Sequence, residues 1–313
     1  MRKRIIIFGS FGRIGEAVVQ DLTLHTNYEI IAISKFTEEK RKYWKKYHCD
    51  YDILNFREIK KLLINLKPNF IINCAAFTNV DLCEEQKAEC WKLNVDFVEM
   101  LARASAVANS HLIHFSTDYI FDGLNGPYSE NALPNPINFY GKSKLASENA
   151  IKSNDIKFTI IRTNFLFGSS RTGKKTFVNF VYDNLINKNP IKVIDSLYSN
   201  PILTTDIAIG VRRVIQQAYM GVINFAGPDY LSRYAIAKEI AKLHKLDLNL
   251  IQKININEAD FLANRPLRAG LKNNKAINEL NLKFQNFEDA LKEYFGQQKI
   301  SNQTIKLISE NKN

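Results

Sequence analysis

This chain has no long apolar run. No stretch approaches the roughly 20 residues of a membrane-spanning helix, so no membrane span is expected. Met1-Arg2-Lys3-Arg4-Ile5 imitates the start of a signal peptide, but the apolar stretch behind it ends at Gly9 and is too short. A cytoplasmic protein is therefore expected. Cysteine is scarce. Cys49, Cys74, Cys83 and Cys90 show no CxxC spacing, which argues against a disulfide framework and for reduced thiols. The five histidines form no recognisable ligand set. His111 and His114 fall in a strand-like stretch, where an i, i+3 pair faces opposite sides, so no metal site is expected. There is no internal repeat and no low-complexity linker. Acidic residues are the minority, 32 against 43 Lys and Arg, leaving a net charge of +11. The densest basic run, Lys40 to Tyr47, carries interleaved aromatics and raises a nucleic-acid reading. A solvated helix face suits it better, and phosphate-bearing ligands also suit a basic protein, so no nucleic-acid partner is expected.

What the sequence does have is alternation. Its 313 residues, 45% apolar and 24% charged, suffice for a large core. Strand-like runs fall at Arg4–Phe8, Glu29–Ile33, Asn69–Cys74, His111–Phe115 and Phe158–Arg162. Between them Glu16–Leu22, Glu58–Leu66, Asp81–Val107 and Tyr140–Ile151 have helical spacing. This order implies an α/β fold, a doubly wound parallel sheet of Rossmann-like type, with ligands at the carboxyl ends of the strands. The last third is less regular, with helical stretches at Thr205–Ala218, Ser232–Leu246 and Asn286–Phe295. Residues after Gln297 are polar and expected to fray.

Two motifs carry chemistry. Gly9, Gly12 and Gly15 follow the first strand and open the first helix. Glycine permits the tight turn and the close approach of backbone N–H groups to a phosphate, and the helix N-terminus adds partial positive charge. The spacing is G-x-x-G-x-x-G, not the commoner G-x-G-x-x-G. A glycine-rich turn with no ligand is the alternative. Tyr140 and Lys144, one helical turn apart, form the second motif. An ammonium beside a phenol lowers its pKa from about 10, so Tyr140 can protonate a carbonyl oxygen while hydride reaches its carbon. Lys144 can also bond a nicotinamide ribose. The spacing alone is common, and Tyr234 with Lys238 repeats it in this chain. Only Tyr140 has an upstream strand ending in Ser116-Thr117-Asp118, whose hydroxyls can bond a substrate carbonyl. Tyr234 reads as an ordinary tyrosine at a helix start.

With these motifs the chain resembles an extended short-chain dehydrogenase/reductase, and within that group the dTDP-4-dehydrorhamnose reductase family. The matching stretches are Gly9–Gly15, Asn73–Asp81, Asn94–Asp96, Phe115–Gly123, Pro127–Glu130, Pro134–Glu148 and Arg162–Gly168. The likeness is dense from residue 4 to about 168, weaker through Ile194–Pro201 and Thr205–Ala208, and faint after about 230. It implies a catalytic trio of Thr117, Tyr140 and Lys144, with Asp118 beside them, and substrate contacts at Thr117, Asp118 and Tyr140. It also implies cofactor contacts at Gly9, Phe11, Gly12, Arg13, Ile14, Asp52, Ala75, Ala76 and Lys144. Asp52 is preferred over Asp50 for the adenine ring. Asn94 is placed near the cofactor, with a capping or packing role equally open. The resemblance further implies a dinucleotide-binding domain over residues 1–162, with returns near 191–225, and a smaller discontinuous C-terminal substrate-binding lobe over 163–313. The implied activity is NAD(P)H-dependent reduction of a nucleotide-linked 4-keto sugar, as in polysaccharide precursor synthesis, and a homodimer is compatible with it. Where relatives of the subgroup usually carry Asp-Gln, this chain has Asp195-Ser196.

The second strand ends Ile33-Ser34-Lys35-Phe36, without the acid that accepts from an NAD ribose. Ser34, Lys35 and Arg13 are therefore assigned to a 2′-phosphate, against Glu38 and Glu39 nearby, and NADPH is expected to be preferred with NADH still usable. A dehydratase commonly needs an Asp-Glu pair after the catalytic Thr, but Asp118-Tyr119 stands there. A nucleotide-sugar epimerase on the same fold, or a regulatory subunit that binds a dinucleotide without turnover, are the alternatives.

Overall fold

The computed structural model describes residues 2–35, 37, 45–170 and 175–297. Seven parallel strands form its central sheet: β1 Arg4–Phe8, β2 Glu29–Ser34, β3 His48–Asp50, β4 Phe70–Asn73, β5 His111–Thr117, β6 Phe158–Thr163 and β7 Gly221–Phe225. Their spatial order is β7-β6-β5-β4-β1-β2-β3. The doubly wound expectation holds. The order reverses between β1 and β4, and such a reversal leaves a crevice at the strands' carboxyl ends.

Strands buried on both faces need helices on both faces. On one side α1 Arg13–His25 and α5 Thr204–Gln217 pack Val18, Val19 and Leu22 with Val211, Val214 and Ile215 against Ile5 and Ile7. On the other, α2 Phe56–Leu66, α3 Phe97–Ala108 and α4 Phe139–Lys152 bring Ile59, Leu63, Val98, Leu101 and Ile151 to Ile6, Phe8 and Ile71. Caps explain the helix starts. Asn55 accepts from Glu58 N and Asn138 from Gly141 N, satisfying donors that the first turn leaves open. A second core gathers Phe167, Val181, Leu185, Ile236, Ile240 and Leu291 around α6 Arg233–Leu243 and the helix Phe177–Ile186.

Two expectations need correction. The stretch Asp81–Val107 is not one helix. It runs as Val80–Glu85, Lys87–Trp91, a π-helical segment Lys92–Asp96 and then α3. Gln86 breaks the first join, at φ −109° and ψ 57°. The π segment turns Asn94 inward, where it accepts from Phe77 N (2.8 Å) and donates to Phe77 O (3.1 Å) and Ser143 Oγ (3.0 Å). The return to the central sheet also departs from 191–225. Ile191–Ile194 pairs with Ile251–Ile254 in a separate parallel pair, and the return is made by α5, β7 and the helix Asn274–Leu280, whose Ala276 and Leu280 join the core on the α1 side. Part of the basic run, residues 40–44, lies outside the described residues, as do Glu38, Glu39 and the tail after Gln297. No helix of the described residues is long and apolar enough to cross a membrane.

One ion pair fixes α4 to the sheet. Glu148 on α4 and Arg162 on β6 are both buried and bond through Nε–Oε1 (2.9 Å) and Nη2–Oε2 (2.8 Å), while Arg162 Nη1 donates to Glu130 O (3.0 Å). Burial pushes the Glu148 pKa up, but the bonds and charge of Arg162 outweigh it and hold the carboxyl below its usual range. Removing Arg162 leaves the wholly buried Glu148 carboxylate with only the half-exposed Lys152, at 2.9 Å, as an ion-pair partner among the described residues. Arg162→Leu is expected to cost about 3–5 kcal/mol. Equilibrium urea unfolding checks this, and a loss below about 1 kcal/mol would contradict it.

Candidate active site

The crevice between β1 and β4 is lined by backbone. Gly9 has φ +74° and donates its N–H to Ile33 O at 3.0 Å. A Cβ there would lie 2.7 Å from Ala75 N, and one at Gly15 would lie 2.2 Å from Gly9 O, so neither site accepts a side chain. Helix α1 begins after Gly12 with no side chain capping it. Bare backbone at a helix N-terminus, at a sheet switch point, fits a dinucleotide pyrophosphate.

The other sequence-assigned cofactor residues gather around this loop. Phe11 is buried and stacks on His48 (4.6 Å between centroids, 15°), so its ring serves the core. Ile14 packs against the α1 side of the core. Ala75 and Ala76 follow β4, and Ala75 N donates to Asn73 Oδ1 at 3.1 Å. Ser34 Oγ accepts from Ser10 Oγ (3.2 Å) and lies 3.4 Å from Phe11 N, tying β2 to the glycine loop. Lys35 and Asp52 are exposed at the rim and pair at 3.1 Å. Asp50 is the last residue of β3, opposite Ser34. Arg13 Nη1 donates to Gly168 O, in the segment after Leu166–Phe167.

Of the three residues expected to be catalytic, Thr117 and Tyr140 meet at the end of β5, and Lys144 reaches His114 within that strand. Thr117 is the strand's last residue, and Tyr140 stands in the first turn of α4, its ring 5.9 Å from that of Tyr119. Thr117 donates to Asp118 Oδ1 (3.2 Å) and accepts from Tyr119 N (3.2 Å). Asp118 Oδ2 accepts from Gly270 N at 3.1 Å. Burial pushes the Asp118 carboxyl up to about 6, against the bonds from Gly270 and Thr117 and the charge of Arg233. Burial also drives Tyr140 above the usual tyrosine range, opposed by its hydrogen bond with Thr117. The expected lowering by Lys144 is not what dominates. Lys144 Nζ lies 3.0 Å from His114 Nε2, and burial brings its own pKa down to about 8, against the charges of Glu148 and Cys90. Tyr140 is thus held as the neutral phenol. Tyr234 and Lys238 sit on α6 with the Lys238 ammonium 5.6 Å from the ring centre, far in sequence from these groups. Among the described residues no group of His, Cys, Asp and Glu could hold a metal ion.

Sequence reading missed three contributors. His114, wholly buried, contacts Lys144. Arg233 lies over the Phe165 ring at 3.9 Å, donates to Ser199 Oγ at 2.7 Å, and acts electrostatically on Asp118 and Tyr119. The segment 263–270 closes the site's far wall. Ala263 N and Arg265 bond Asp81, Asn264 O accepts from Asn138 Nδ2 (2.8 Å), and Gly270 N bonds Asp118. Of these only His114 falls in a strand-like stretch of the sequence, where it counts solely as half of an i, i+3 pair for a metal.

A family model described as the RmlD substrate binding domain matches residues 2–300. The chain is 28% identical over 301 residues to a dTDP-4-dehydrorhamnose reductase of Aggregatibacter actinomycetemcomitans, covering 92% of this chain and 97% of that one. It is 26% identical over 258 residues to methionine adenosyltransferase 2 subunit beta of Bos taurus, covering 80% and 75%. The crystal structure of a dTDP-4-dehydrorhamnose reductase from Bacillus anthracis in complex with NADP superposes with a TM-score of 0.82 at 25% identity, covering 95% of this chain and all of that one. The seven-stranded sheet, the glycine cradle and the match along nearly the whole length agree: this chain belongs to the RmlD substrate-binding domain family.

Proposed function

We propose that this protein reduces a nucleotide-linked 4-keto sugar with NADPH. The carrying observations are a backbone cradle at Gly9–Gly15 packed on Ala75 after β4, and a half-buried Tyr140 bonded to Thr117 at the end of the adjacent β5. Backbone at Gly9, Phe11, Gly12, Arg13 and Ile14 would hold the pyrophosphate, Ala75 and Ala76 would flank the dinucleotide, and Lys144 would bond the nicotinamide ribose. When bound, the cofactor supplies hydride to the sugar carbonyl carbon. The chain supplies the rest. Tyr140 gives its proton to the carbonyl oxygen. Thr117, whose oxygen accepts from Tyr119 N, bonds the Tyr140 hydroxyl and aligns it. Lys144 holds positive charge beside the phenolate that results.

The cofactor preference rests on the rim. No carboxylate ends β2, so NAD lacks its usual partner there, while Lys35 offers charge to a 2′-phosphate in competition with Asp52. Arg13, one N–H of which is donated to Gly168 O, would add charge beside Lys35 and Ser34. The preference is modest, and NADH remains usable. Asp52, or Asp50 two residues before it, would meet the adenine ring. The part of the chain beyond β6, apart from α5, β7 and the helix Asn274–Leu280, would serve as the substrate lobe, with Arg233 meeting the anionic nucleotide. We assign the protein to the cytoplasm and to polysaccharide precursor synthesis on the same grounds. A second reading, dinucleotide binding without turnover as a partner subunit, is favoured by the similarity to methionine adenosyltransferase 2 subunit beta. The intact trio speaks for turnover.

Purified protein with NADPH and a panel of nucleotide-linked 4-keto sugars tests the assignment by loss of NADPH absorbance. Tyr140→Phe should lose about 10²–10⁴-fold in kcat with cofactor affinity nearly intact. Tyr234→Phe should stay close to the parent, and equal activity of both variants would remove Tyr140 from the mechanism.

The pH profile of kcat/KM should be bell-shaped. The Asp118 carboxylate forms only above about 6, so activity rises through that value. The Lys144 ammonium is lost above about 8, so activity falls there. Asp118→Asn should abolish the acidic limb, and a limb that persists unchanged in that variant would contradict its assignment.

Lys35→Ala should lower the NADPH-to-NADH ratio of catalytic efficiency by about tenfold, the low end for a charge-assisted bond at an exposed site. An unchanged ratio would take Lys35 out of the recognition.

A further inference from the structure

His114 is wholly buried in β5 and meets three side chains. Asn73, at the end of β4, fixes one side of the ring. Its Oδ1 accepts from Ala75 N at 3.1 Å, which settles the orientation of the amide. Its Nδ2 therefore faces His114 Nδ1, at 3.1 Å, and donates to it. Nδ1 then carries no hydrogen. Burial holds the ring pKa well below the usual histidine range, so the imidazole is neutral and its one proton sits on Nε2. Nε2 faces Ser147 Oγ at 3.2 Å and Lys144 Nζ at 3.0 Å. The Ser147 hydroxyl is already donated to Lys144 O at 2.6 Å, so its oxygen is free to accept. At Nζ an ammonium would oppose N–H to N–H. A neutral amine offers a lone pair instead.

We infer that His114 is a positioning residue that sets the protonation state of Lys144: the Nε2–H tautomer imposed by Asn73 accepts Lys144 beside it only as a neutral amine, and the ammonium form leaves His114 for the cofactor cradle. This deepens the proposed reductase reading and rests on it for the role of Lys144. The relay has a direction. Ala75 belongs to the loop against which Gly9 packs, so the cradle, Asn73, His114 and Lys144 form one chain of contacts. The other groups acting on Lys144 are Glu148 on its own helix and Cys90 on Lys87–Trp91, and both favour the ammonium. The burial of Lys144 and the His114 N–H work against them.

The test uses the full chain without cofactor or substrate, so its failure is separable from failure of the reductase assignment. Nitrogen-15 NMR of the His114 ring should show a bare Nδ1 and a protonated Nε2. A wild-type ring protonated on Nδ1 would overturn the proposal. Asn73→Asp keeps the acceptor for Ala75 N and replaces the donor facing Nδ1 by an acceptor, so the ring proton should move to Nδ1. A ring that stays protonated on Nε2 would show that Asn73 does not set the tautomer. His114→Gln, whose carbonyl can accept from an ammonium, should raise the Lys144 titration midpoint, read from its ε-methylene carbon, by about one pH unit, the worth of one hydrogen bond. An unmoved midpoint would overturn the link to Lys144. Should Asn73→Asp fail to fold, the wild-type ring spectrum and His114→Gln decide the question between them.

Discussion

The buried pair of Glu148 and Arg162 is the contact on which the site depends. A buried ion pair adds little net stability, because desolvation offsets most of its attraction. Its worth here is geometric. The paired fork of Arg162 on β6 holds the carboxylate of α4 in one orientation, and Lys144 lies one turn before Glu148 on that helix. Two further bonds pin the start of α4. Phe139 N donates to Glu84 at 2.7 Å, and Asn138 caps the first turn while donating to Asn264 O. Tyr140 therefore has little freedom relative to Thr117 at the end of β5. Proton transfer needs such fixed separation more than it needs a strong acid.

The sheet supplies the other half of the arrangement. Parallel strands collect their carboxyl ends at one edge, and the order reversal between β1 and β4 opens a crevice there. Glycine at positions 9 and 15 lets the first loop press against Ala75 and against itself. Hydride chemistry and proton chemistry thus meet where β4, β5 and α4 end or begin. Electrostatics then divides the labour. Burial raises Tyr140 and Asp118 and lowers Lys144, so a donor, an orienting carboxylate and a cation of reduced pKa share one desolvated space.

Much of this was legible in the sequence because it is local. The strands, the glycine loop and the Tyr140–Lys144 spacing are set by periodicity and by single residue types. The strand end at Ser116-Thr117-Asp118 follows from short-range pattern as well. What escaped depends on long-range contacts. Arg13 reads as a cation beside a phosphate site, and its bond to Gly168 O, far along the chain, has no local trace. The π segment leaves no periodic trace, since it adds one residue per turn only where Asn94 must reach Phe77. Ile191–Ile194 has the alternation of any half-buried strand, and nothing local says that its partner is Ile251–Ile254. Arg233 and the segment 263–270 come from the part of the chain where motifs were faint, and only the fold brings them to Asp118.

The central claim is that hydride is delivered to a sugar carbonyl at this crevice while Tyr140 delivers the proton. Turnover of a nucleotide-linked 4-keto sugar with NADPH deuterated at the transferred position of the nicotinamide ring, followed by mass and NMR analysis of the sugar, examines it most directly. The account predicts one deuterium at the former carbonyl carbon and one oxidised cofactor per product. Epimerised sugar with no net cofactor oxidation, or saturable cofactor binding with no turnover across the sugar panel, would contradict it.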